Sequence, residues 1–328
     1  RTPKRAEYRQ HGKISDSTLE TTFGSFTNAL YAAGLESKTH RPKTEHDKST
    51  EKYLDQREMA EKFSEQITPW VGKYERPVRK KIAVVATASD FHSIYADPFC
   101  TGVFIKHCSQ VQPDHIALAG DIYDFPLISK FSKNPQRIVH MQDELDFIEA
   151  SLFKPIRSAC PDAQIDLFIG NHEWRLFKYL ANEGQGLSSL RCLRFNELFC
   201  LDKYHINLVA RPSFLTSPSE KEVENYRLYY DMFCVTHGTS VAQNHAMAEL
   251  KRFGCSGVSG HVHHFQDQSM RDLGGDKKWI SMGCMCQLKA GEEYIPDLVR
   301  WNQGYDIAHL NLETKTISQE YVDFGTGF

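Results

Sequence analysis

The sequence predicts an α/β protein built around a largely buried sheet, because short apolar runs alternate with helix-length segments. This pattern begins near Lys81, and the helix-length segments include 132–158 and 241–253. Turn-forming residues flank each apolar run. The runs are 82–89, 115–120, 165–170, 233–238, 257–262, 279–285 and 306–312. Runs of this length indicate strands that are covered on both faces, and their alternation with helices is typical of βαβ units.

Five short polar clusters stand in a fixed order, and almost every one directly follows an apolar run. They are Asp90-Phe91-His92, Gly120-Asp121-Ile122-Tyr123-Asp124, Gly170-Asn171-His172-Glu173, His237-Gly238 and Gly260-His261-Val262-His263. Ligands of open α/β sheets bind at the carboxyl ends of strands, which is where these clusters are expected. Bringing so many ionisable groups together is costly unless a cation binds them, so the clusters predict a metal site.

The residue types and spacings suggest two metal ions. Asp90 and His92 are one residue apart, so in an extended segment their side chains face the same way and can chelate one ion. A second ion would be bound by an amide oxygen and two imidazoles: Asn171, His237 and His261. His263 can turn back to the first ion. Mixed nitrogen and oxygen donors suit Mn, Fe or Zn better than Mg or Ca.

In order and spacing, the clusters resemble the signature of the calcineurin-like metallophosphoesterase superfamily, which reads D-x-H, G-D-x-x-D, G-N-H-D/E, H and G-H-x-H. The match covers residues 81–325. The resemblance implies a four-layer α/β/β/α sandwich that binds two divalent metal ions, with Mn favoured over Fe or Zn. It also implies hydrolysis of a phosphoester by in-line attack, without a covalent enzyme intermediate.

The resemblance further implies a role for each matching residue. One metal would be bound by Asp90, His92 and His263, and the other by Asn171, His237 and His261. Asp121 would bridge the two metals. His172 would protonate the leaving oxygen or stabilise the phosphorane, and Glu173 would orient His172. Asp124 matches the second acid of its motif. It is expected to support catalysis without binding a metal directly.

A few other residues outside the five clusters have candidate roles. Arg175 either reaches a substrate phosphate or forms a salt bridge. His245, in a predicted helix, is expected to face solvent. Nine scattered cysteines without a Cys-x-x-Cys pair indicate reduced thiols in a cytoplasmic protein. Alternation in a strand would put Cys284 and Cys286 on one face, which favours packing over binding of a soft metal.

The chain is predicted to have three parts. Residues 1–40 read as a small helical module with apolar residues at three-to-four spacing, and 41–80 as a polar linker followed by a docking helix. Residues 81–328 are expected to form the phosphoesterase domain, with 174–232 as a cap insertion over the site. Residues 1–80 carry 16 Lys and Arg against 12 Asp and Glu, whereas the remainder carries 23 against 30.

The first module has a resemblance of its own. It contains Phe23-Gly24-Ser25-Phe26, Ala29-Leu30 and Ala32-Ala33-Gly34-Leu35, and this pattern resembles the helical repeat found beside homing endonucleases, in helix-turn-helix-like units. The resemblance implies DNA binding by residues 1–40 and an origin in a phage or mobile element. A basic helical unit on a polar linker suits the same function, but it also suits a subdomain that only packs on the catalytic domain.

These features favour a nuclease or DNA end-processing enzyme. The alternatives are a phosphatase or cyclic phosphodiesterase of small nucleotides or phosphomonoesters, and a DNA-binding protein whose phosphoesterase domain is not catalytic. Residues 1–11 are polar and basic, unlike a signal peptide, and no apolar stretch approaches the roughly 20 residues that span a bilayer. The expected location is the cytoplasm, of a host cell if a phage encodes the protein. The oligomeric state does not follow from the sequence.

Overall fold

The structure is a computed structural model that describes residues 81–130, 140–209, 225–288 and 301–325. Its strands are β1 (Ile82–Ala88), β2 (His115–Leu118), β3 (Gln164–Phe168), β4 (Ile206–Val209), β5 (Tyr226–Tyr229), β6 (Phe233–Thr236), β7 (Ser256–Ser259), β8 (Gln266–Asp272), β9 (Gly275–Ser281), β10 (Gln303–Asn311) and β11 (Thr316–Gly325). Its helices are α1 (Pro98–Val111), α2 (Met141–Ile148), α3 (Lys154–Ala159), α4 (Asn171–Asn182), α5 (Phe195–Leu198) and α6 (His245–Phe253). A π-helical segment, Glu149–Phe153, joins α2 to α3.

The first sheet has six strands in the order β11-β10-β1-β2-β3-β4. Strands β1 to β4 run parallel, and β10 and β11 are antiparallel additions at one edge. Helices cross from each parallel strand to the next, as βαβ units require. The helix α1 begins where Asp97 accepts hydrogen bonds from the N–H groups of Phe99 and Cys100, and Pro98 occupies its first turn. The carboxyl ends of β1, β2 and β3 therefore meet at one edge of the sheet.

The second sheet has five strands in the order β5-β6-β7-β9-β8. Strands β6, β7 and β9 are parallel, and α6 makes the crossover from β6 to β7. That helix ends at Gly254, which has a φ of 63° that favours glycine. Strands β6 and β7 thus place the fourth and fifth polar clusters side by side, just as β1 to β3 place the first three.

Three hydrophobic cores show how these elements stack. One core joins helices α1 to α5 to one face of the first sheet, through residues such as Phe104 and Leu118. A second lies between the two sheets and includes Val85 from β1 and Val235 from β6. A third joins α6 to the outer face of the second sheet, around Trp279. The layers are therefore helix, sheet, sheet and helix, and the predicted α/β/β/α fold class is confirmed.

Each of the seven predicted apolar runs contains part of a strand, although β9 begins four residues before its predicted start. Strands β4, β5, β8 and β11 were not among them. Much of 174–232 lies within the layers, because β4 pairs with β3 and β5 pairs with β6. Its predicted role as a cap stays a prediction, since 210–224 lies outside the described residues. The predicted helical module, linker and docking helix of residues 1–80 also lie outside them.

Candidate metal centre

The five polar clusters converge at the carboxyl ends of β1, β2, β3, β6 and β7 through tight loops. Five of their residues have left-handed backbone conformations: Asp90 (φ 58°), His92 (φ 51°), Asp121 (φ 50°), His261 (φ 79°) and His263 (φ 54°). The predicted extended geometry of the first cluster is therefore wrong. The loops hold one another in place, since the N–H groups of Asp90 and His92 donate to the carbonyls of Gly120 and Asp121 at 3.0 Å. Such strained residues concentrate at functional sites.

Glycine lets two of these loops come close together. Gly120 has a φ of 92°, and a Cβ added to it would stand 2.7 Å from Nδ1 of His237 and 2.9 Å from the backbone of Gly170. No side chain fits there without displacing the fourth cluster or the third. The glycine before Asp121 thus allows the loops after β2, β3 and β6 to lie close together.

The first group of donors comprises His92, His263 and the neighbouring Asp90. The Nε2 atoms of His92 and His263 are 3.1 Å apart, and Nε2 of His263 is 3.2 Å from Oδ1 of Asp90. The other oxygen of Asp90 accepts hydrogen bonds from the Ser89 hydroxyl and the His261 N–H. Asp90 is therefore fixed by Oδ2 and presents Oδ1 to the group.

The second group comprises Asp121, His237 and His261, whose ligand atoms all lie within 4.8 Å of one another. Nδ1 of His237 donates to the carbonyl of Ala119 at 2.9 Å, so its Nε2 carries a lone pair when the ring is neutral. That Nε2 lies 3.0 Å from Oδ1 of Asn171 and 3.3 Å from Oδ2 of Asp121. Burial opposes protonation of His237, but the Asp121 carboxylate raises its pKa to about 10. The carboxylates of the site therefore favour a positive charge beside them.

Asp121 also belongs to a group with His92 and His172, again within 4.8 Å. Its Oδ1 accepts the N–H of His172 at 2.8 Å, while its Oδ2 lies between His237 and His172, 3.3 and 3.7 Å from their Nε2 atoms. One carboxylate thus stands between the two groups of donors, as a bridging ligand must. The assignment of each residue to a metal stays a prediction.

His172 lies at the start of α4, between Asp124 and Arg175. Its Nδ1 is 2.8 Å from Oδ1 of Asp124, and its Nε2 is 2.9 Å from Nη2 of Arg175. Nη1 of Arg175 donates to the carbonyl of Asp124 at 2.8 Å. Because a guanidinium only donates, Nε2 must accept and Nδ1 must carry the proton of a neutral ring. Burial lowers the pKa of His172, which favours this neutral form.

The prediction that Glu173 orients His172 is wrong. Its Oε1 accepts the N–H groups of Ile122 and Tyr123, and its Oε2 accepts those of Gly170 and Asp121, at 2.7–3.0 Å. Both oxygens of Glu173 are therefore occupied by backbone N–H groups. Asp124, and not Glu173, orients the His172 ring. Glu173 caps α4 and ties the loop after β2 to the loop after β3. Burial raises its pKa to about 7, and the four N–H donors oppose this shift.

Several residues at the site were missed or misjudged from the sequence. Glu144 of α2 is buried, and its Oε2 accepts the N–H groups of Asp124 and Phe125. The Trp301 ring lies edge-to-face on His263, with centroids 4.1 Å apart. Cys286 forms a group of potential ligands with His92 and His263. His245 does not face solvent: it is buried, with Nε2 3.2 Å from the carbonyl of His264.

The donors fit two adjacent divalent cations. They are imidazoles, carboxylates and one amide, all buried except the half-buried Asn171 and His261, and Nδ1 of His261 and of His263 have no hydrogen-bond partner within the described part of the chain. A buried polar atom without a partner destabilises the fold. Coordination would supply a partner to any imidazole nitrogen that faces a metal ion. The mixture of nitrogen and oxygen ligands matches Mn, Fe or Zn.

The N-terminal segment of the chain matches a known protein family. Residues 1–36 match the homing endonuclease associated repeat. The resemblance predicted for the N-terminal module is thereby confirmed. The rest of the chain lies outside this match.

The chain is also similar to two phage proteins. It is 23% identical to the Gene 54 protein of Mycobacterium phage D29 over 257 residues, which cover 74% of this chain and 93% of the relative. It is 23% identical to the Gene 54 protein of Mycobacterium phage L5 over 255 residues, with the same coverage. Neither name states an activity.

Solved structures that are similar to this chain include a dimetal phosphatase and a phosphoesterase. A dimetal phosphatase from Danio rerio is 10% identical, with a TM-score of 0.37, and the match covers 75% of this chain and 99% of that one. Yfce, a phosphoesterase from E. coli, is 13% identical with a TM-score of 0.32, over 72% of this chain and 98% of that one. Vps29 from Entamoeba histolytica in complex with zinc is 10% identical, also with a TM-score of 0.32, over 74% and 99%.

Among the helices in the described part of the chain, none has the length and apolar character needed to cross a bilayer.

Proposed function

We propose that this chain is a dinuclear, metal-dependent phosphodiesterase that hydrolyses DNA. The observation that supports this most is the position of Asp121, whose carboxylate belongs to two groups of metal-binding side chains. A shared carboxylate keeps two cations next to each other, and ions about 3.5–4 Å apart are typical of enzymes that cleave phosphoesters. The five motifs in their order support the same reaction class.

Each metal would have its own ligands in addition to Asp121. The first set is Asp90, His92 and His263, and the second set is Asn171, His237 and His261. When bound, the two cations supply the Lewis acidity that activates water near neutral pH and offsets the charge on the phosphoryl oxygens. The protein keeps the donors in position through the strained loops and their hydrogen bonds.

His172 would supply a proton to the leaving oxygen. In the substrate-free arrangement its Nε2 accepts from Arg175 and therefore carries no proton. A phosphate that enters the site would compete for Arg175, because a guanidinium binds phosphate with two parallel hydrogen bonds. Release of Nε2 would then let His172 take up a proton, while Asp124 holds Nδ1 and stabilises the imidazolium. Arg175 would thus serve as a substrate-binding residue, which is one of the two roles that the sequence left open.

DNA is the proposed substrate because of residues 1–45. This segment includes the match to the homing endonuclease associated repeat and carries eight Lys and Arg against five Asp and Glu. A basic unit that contacts phosphates brings a polyanion to an attached catalytic domain. The similarity to phage proteins supports an origin in a phage, and with it a site of action in the cytoplasm of the host.

The reaction class is tested by a side-by-side assay with Mn on four substrates: single-stranded DNA, duplex DNA, a cyclic nucleotide and a phosphomonoester. We expect cleavage of DNA by the full chain and none by the Asp121→Asn variant. The exposed Asp162→Asn is the matched control and should stay active. Preference for the cyclic nucleotide or the phosphomonoester would support the alternative of a small-molecule phosphatase. No hydrolysis of any substrate with Mn, Fe or Zn would refute an enzymatic role.

The part played by the N-terminal module is tested by deleting residues 1–45. Hydrolysis of a small model diester should stay nearly unchanged, because every proposed ligand follows residue 89. Binding to duplex DNA should weaken and depend less on salt, since phosphate contacts release counterions when they form. Titration of both proteins at two salt concentrations measures this effect. Equal affinities and equal salt slopes would show that DNA is bound without the module.

A further inference from the structure

Cys286 is fixed beside the candidate metal centre by backbone hydrogen bonds on both of its sides. The N–H of Met285 is 3.1 Å from the carbonyl of Asp90, and the N–H of Gln287 donates to the carbonyl of Tyr95 at 2.8 Å. The carbonyl of Cys286 itself accepts from the side-chain amide of Gln303 at 2.8 Å. The segment that follows β9 is thus bound to the loop of Asp90, which determines where the thiol lies.

The thiol stands next to the first group of donors. Cys286 is 2% exposed, and its sulfur and one ring nitrogen each of His92 and His263 all lie within 4.8 Å of one another. Bonds of about 2.0–2.3 Å from one ion to nitrogen and sulfur place neighbouring ligand atoms roughly 3–4 Å apart. Only small side-chain movements separate the observed positions from those of three ligands on one ion.

A second cysteine two residues earlier provides a contrast. Cys284 is also buried, but its sulfur lies 3.5 Å from the carbonyl oxygen of Asn302 and 3.7 Å from that of Cys286. Its thiol is therefore engaged with backbone, and it belongs to none of the groups of potential ligands found in the described residues. The prediction that both thiols serve packing fits Cys284 and leaves the position of Cys286 unexplained.

We propose that Cys286 is a thiolate ligand of the metal bound by Asp90, His92 and His263. Binding breaks the S–H bond and forms a metal–sulfur bond, and the proton leaves to solvent. A thiolate prefers a borderline or soft cation, so this position binds Zn or Fe more tightly than Mn, while the position of Asn171, His237 and His261 keeps only nitrogen and oxygen ligands. The inference rests on the proposed dinuclear centre and gives its two metal positions different chemistry.

Cobalt substitution of the full chain tests this proposal without measuring activity. The metal-free protein is titrated with Co²⁺ and its absorption spectrum is recorded. Visible ligand-field bands report that cobalt binds, and a near-ultraviolet sulfur-to-cobalt charge-transfer band reports a thiolate ligand. We expect both in the wild type. Cys286→Ser should lose the charge-transfer band and keep the ligand-field bands, and the matched control Cys284→Ser should keep both.

X-ray absorption of the zinc-loaded wild type provides a second measurement that needs no variant. If Cys286 binds one of two zinc ions, the average is half a sulfur neighbour per zinc, at about 2.3 Å. Absence of sulfur, or a charge-transfer band that persists in Cys286→Ser, would overturn the proposal and leave the dinuclear centre intact. Absence of any ligand-field band or bound zinc would overturn both the proposal and the proposed function.

Discussion

Replacing Glu173 by Gln should destabilise the protein far more than the same replacement at Glu144. Both carboxylates are buried and accept backbone N–H groups of the loop after β2. Glu173 uses both oxygens, each of which accepts two N–H groups. Glu144 uses only Oε2, and its Oε1 has no hydrogen-bond partner among the described residues. A glutamine amide can therefore replace Glu144 without losing an accepted bond, but it cannot do so at Glu173.

The magnitude follows from the two bonds that Glu173→Gln must lose. Each hydrogen bond to a charged group contributes about 1.5–3 kcal/mol, so the loss is on the order of 3–6 kcal/mol. Removing a buried charge offsets part of this loss. Burial raises the pKa of Glu173 and of Glu144 alike, to about 7, so this offset is similar in both variants. The difference between the two variants isolates the lost bonds, and it is a large part of the stability of a typical domain.

Urea unfolding at about pH 8.5, where both glutamates are ionised in spite of their raised pKa, and with a chelator present, measures this difference through tryptophan fluorescence. The chelator removes any contribution from bound metal. Glu173→Gln should unfold at a much lower urea concentration than Glu144→Gln, which should stay near the wild type. A difference in the free energy of unfolding below about 1 kcal/mol would refute the reasoning, because one lost charged bond already exceeds that value.

Three further predictions concern the metals, the proton donor and a buried acid. Asp121→Asn should lower the metal content in elemental analysis as well as the activity; full metal content would exclude it as a bridge. His172→Ala should retain metal and lose on the order of 10²–10⁴-fold in rate, less for substrates with acidic leaving groups; an emptied metal site would contradict its role. Burial raises the pKa of Asp306 to about 7. Keeping this buried carboxyl in the folded protein therefore lowers stability once the pH exceeds its pKa in the unfolded chain, near 4. The loss is complete above its pKa in the folded protein. Asp306→Asn should therefore increase the free energy of unfolding, and this increase should be larger at pH 8 than at pH 5 by on the order of 2 kcal/mol. An increase that does not change with pH in urea unfolding would contradict this.

The central strands and the convergence of the polar clusters could be predicted because both depend on local pattern. A buried parallel strand is a continuous apolar run, and whatever follows it lies at the carboxyl edge of the sheet. The edge strands lack this pattern. In β8 (Gln266–Asp272) and β11 (Thr316–Gly325), half-buried and exposed residues alternate among polar side chains. Their place in the sheets depends on pairing with β9 and β10, which no local pattern predicts.

Side-chain partners that come from distant segments could not be predicted either. Glu144 is one of three acids in the eight residues of α2, and nothing local shows which of them is buried. Cys286 reaches His92 only because the chain after β9 pairs with the loop that follows Asp90. The glutamate in the third motif suggested an arm that reaches His172. Its actual partners are four N–H groups that become neighbours only when two loops meet.

Backbone strain and charge at the centre argue that its donors are arranged for a ligand. Five cluster residues adopt left-handed conformations, at a cost of order 1–3 kcal/mol each for side chains other than glycine. The same loops bring Asp90 and Asp121 among four buried imidazoles. Hydrogen-bonded His–Asp pairs alone would need neither the strain nor the crowding, since such pairs form readily between regular elements. A bound cation offsets both costs, so the metal-free protein is expected to be less stable than the metal-loaded one.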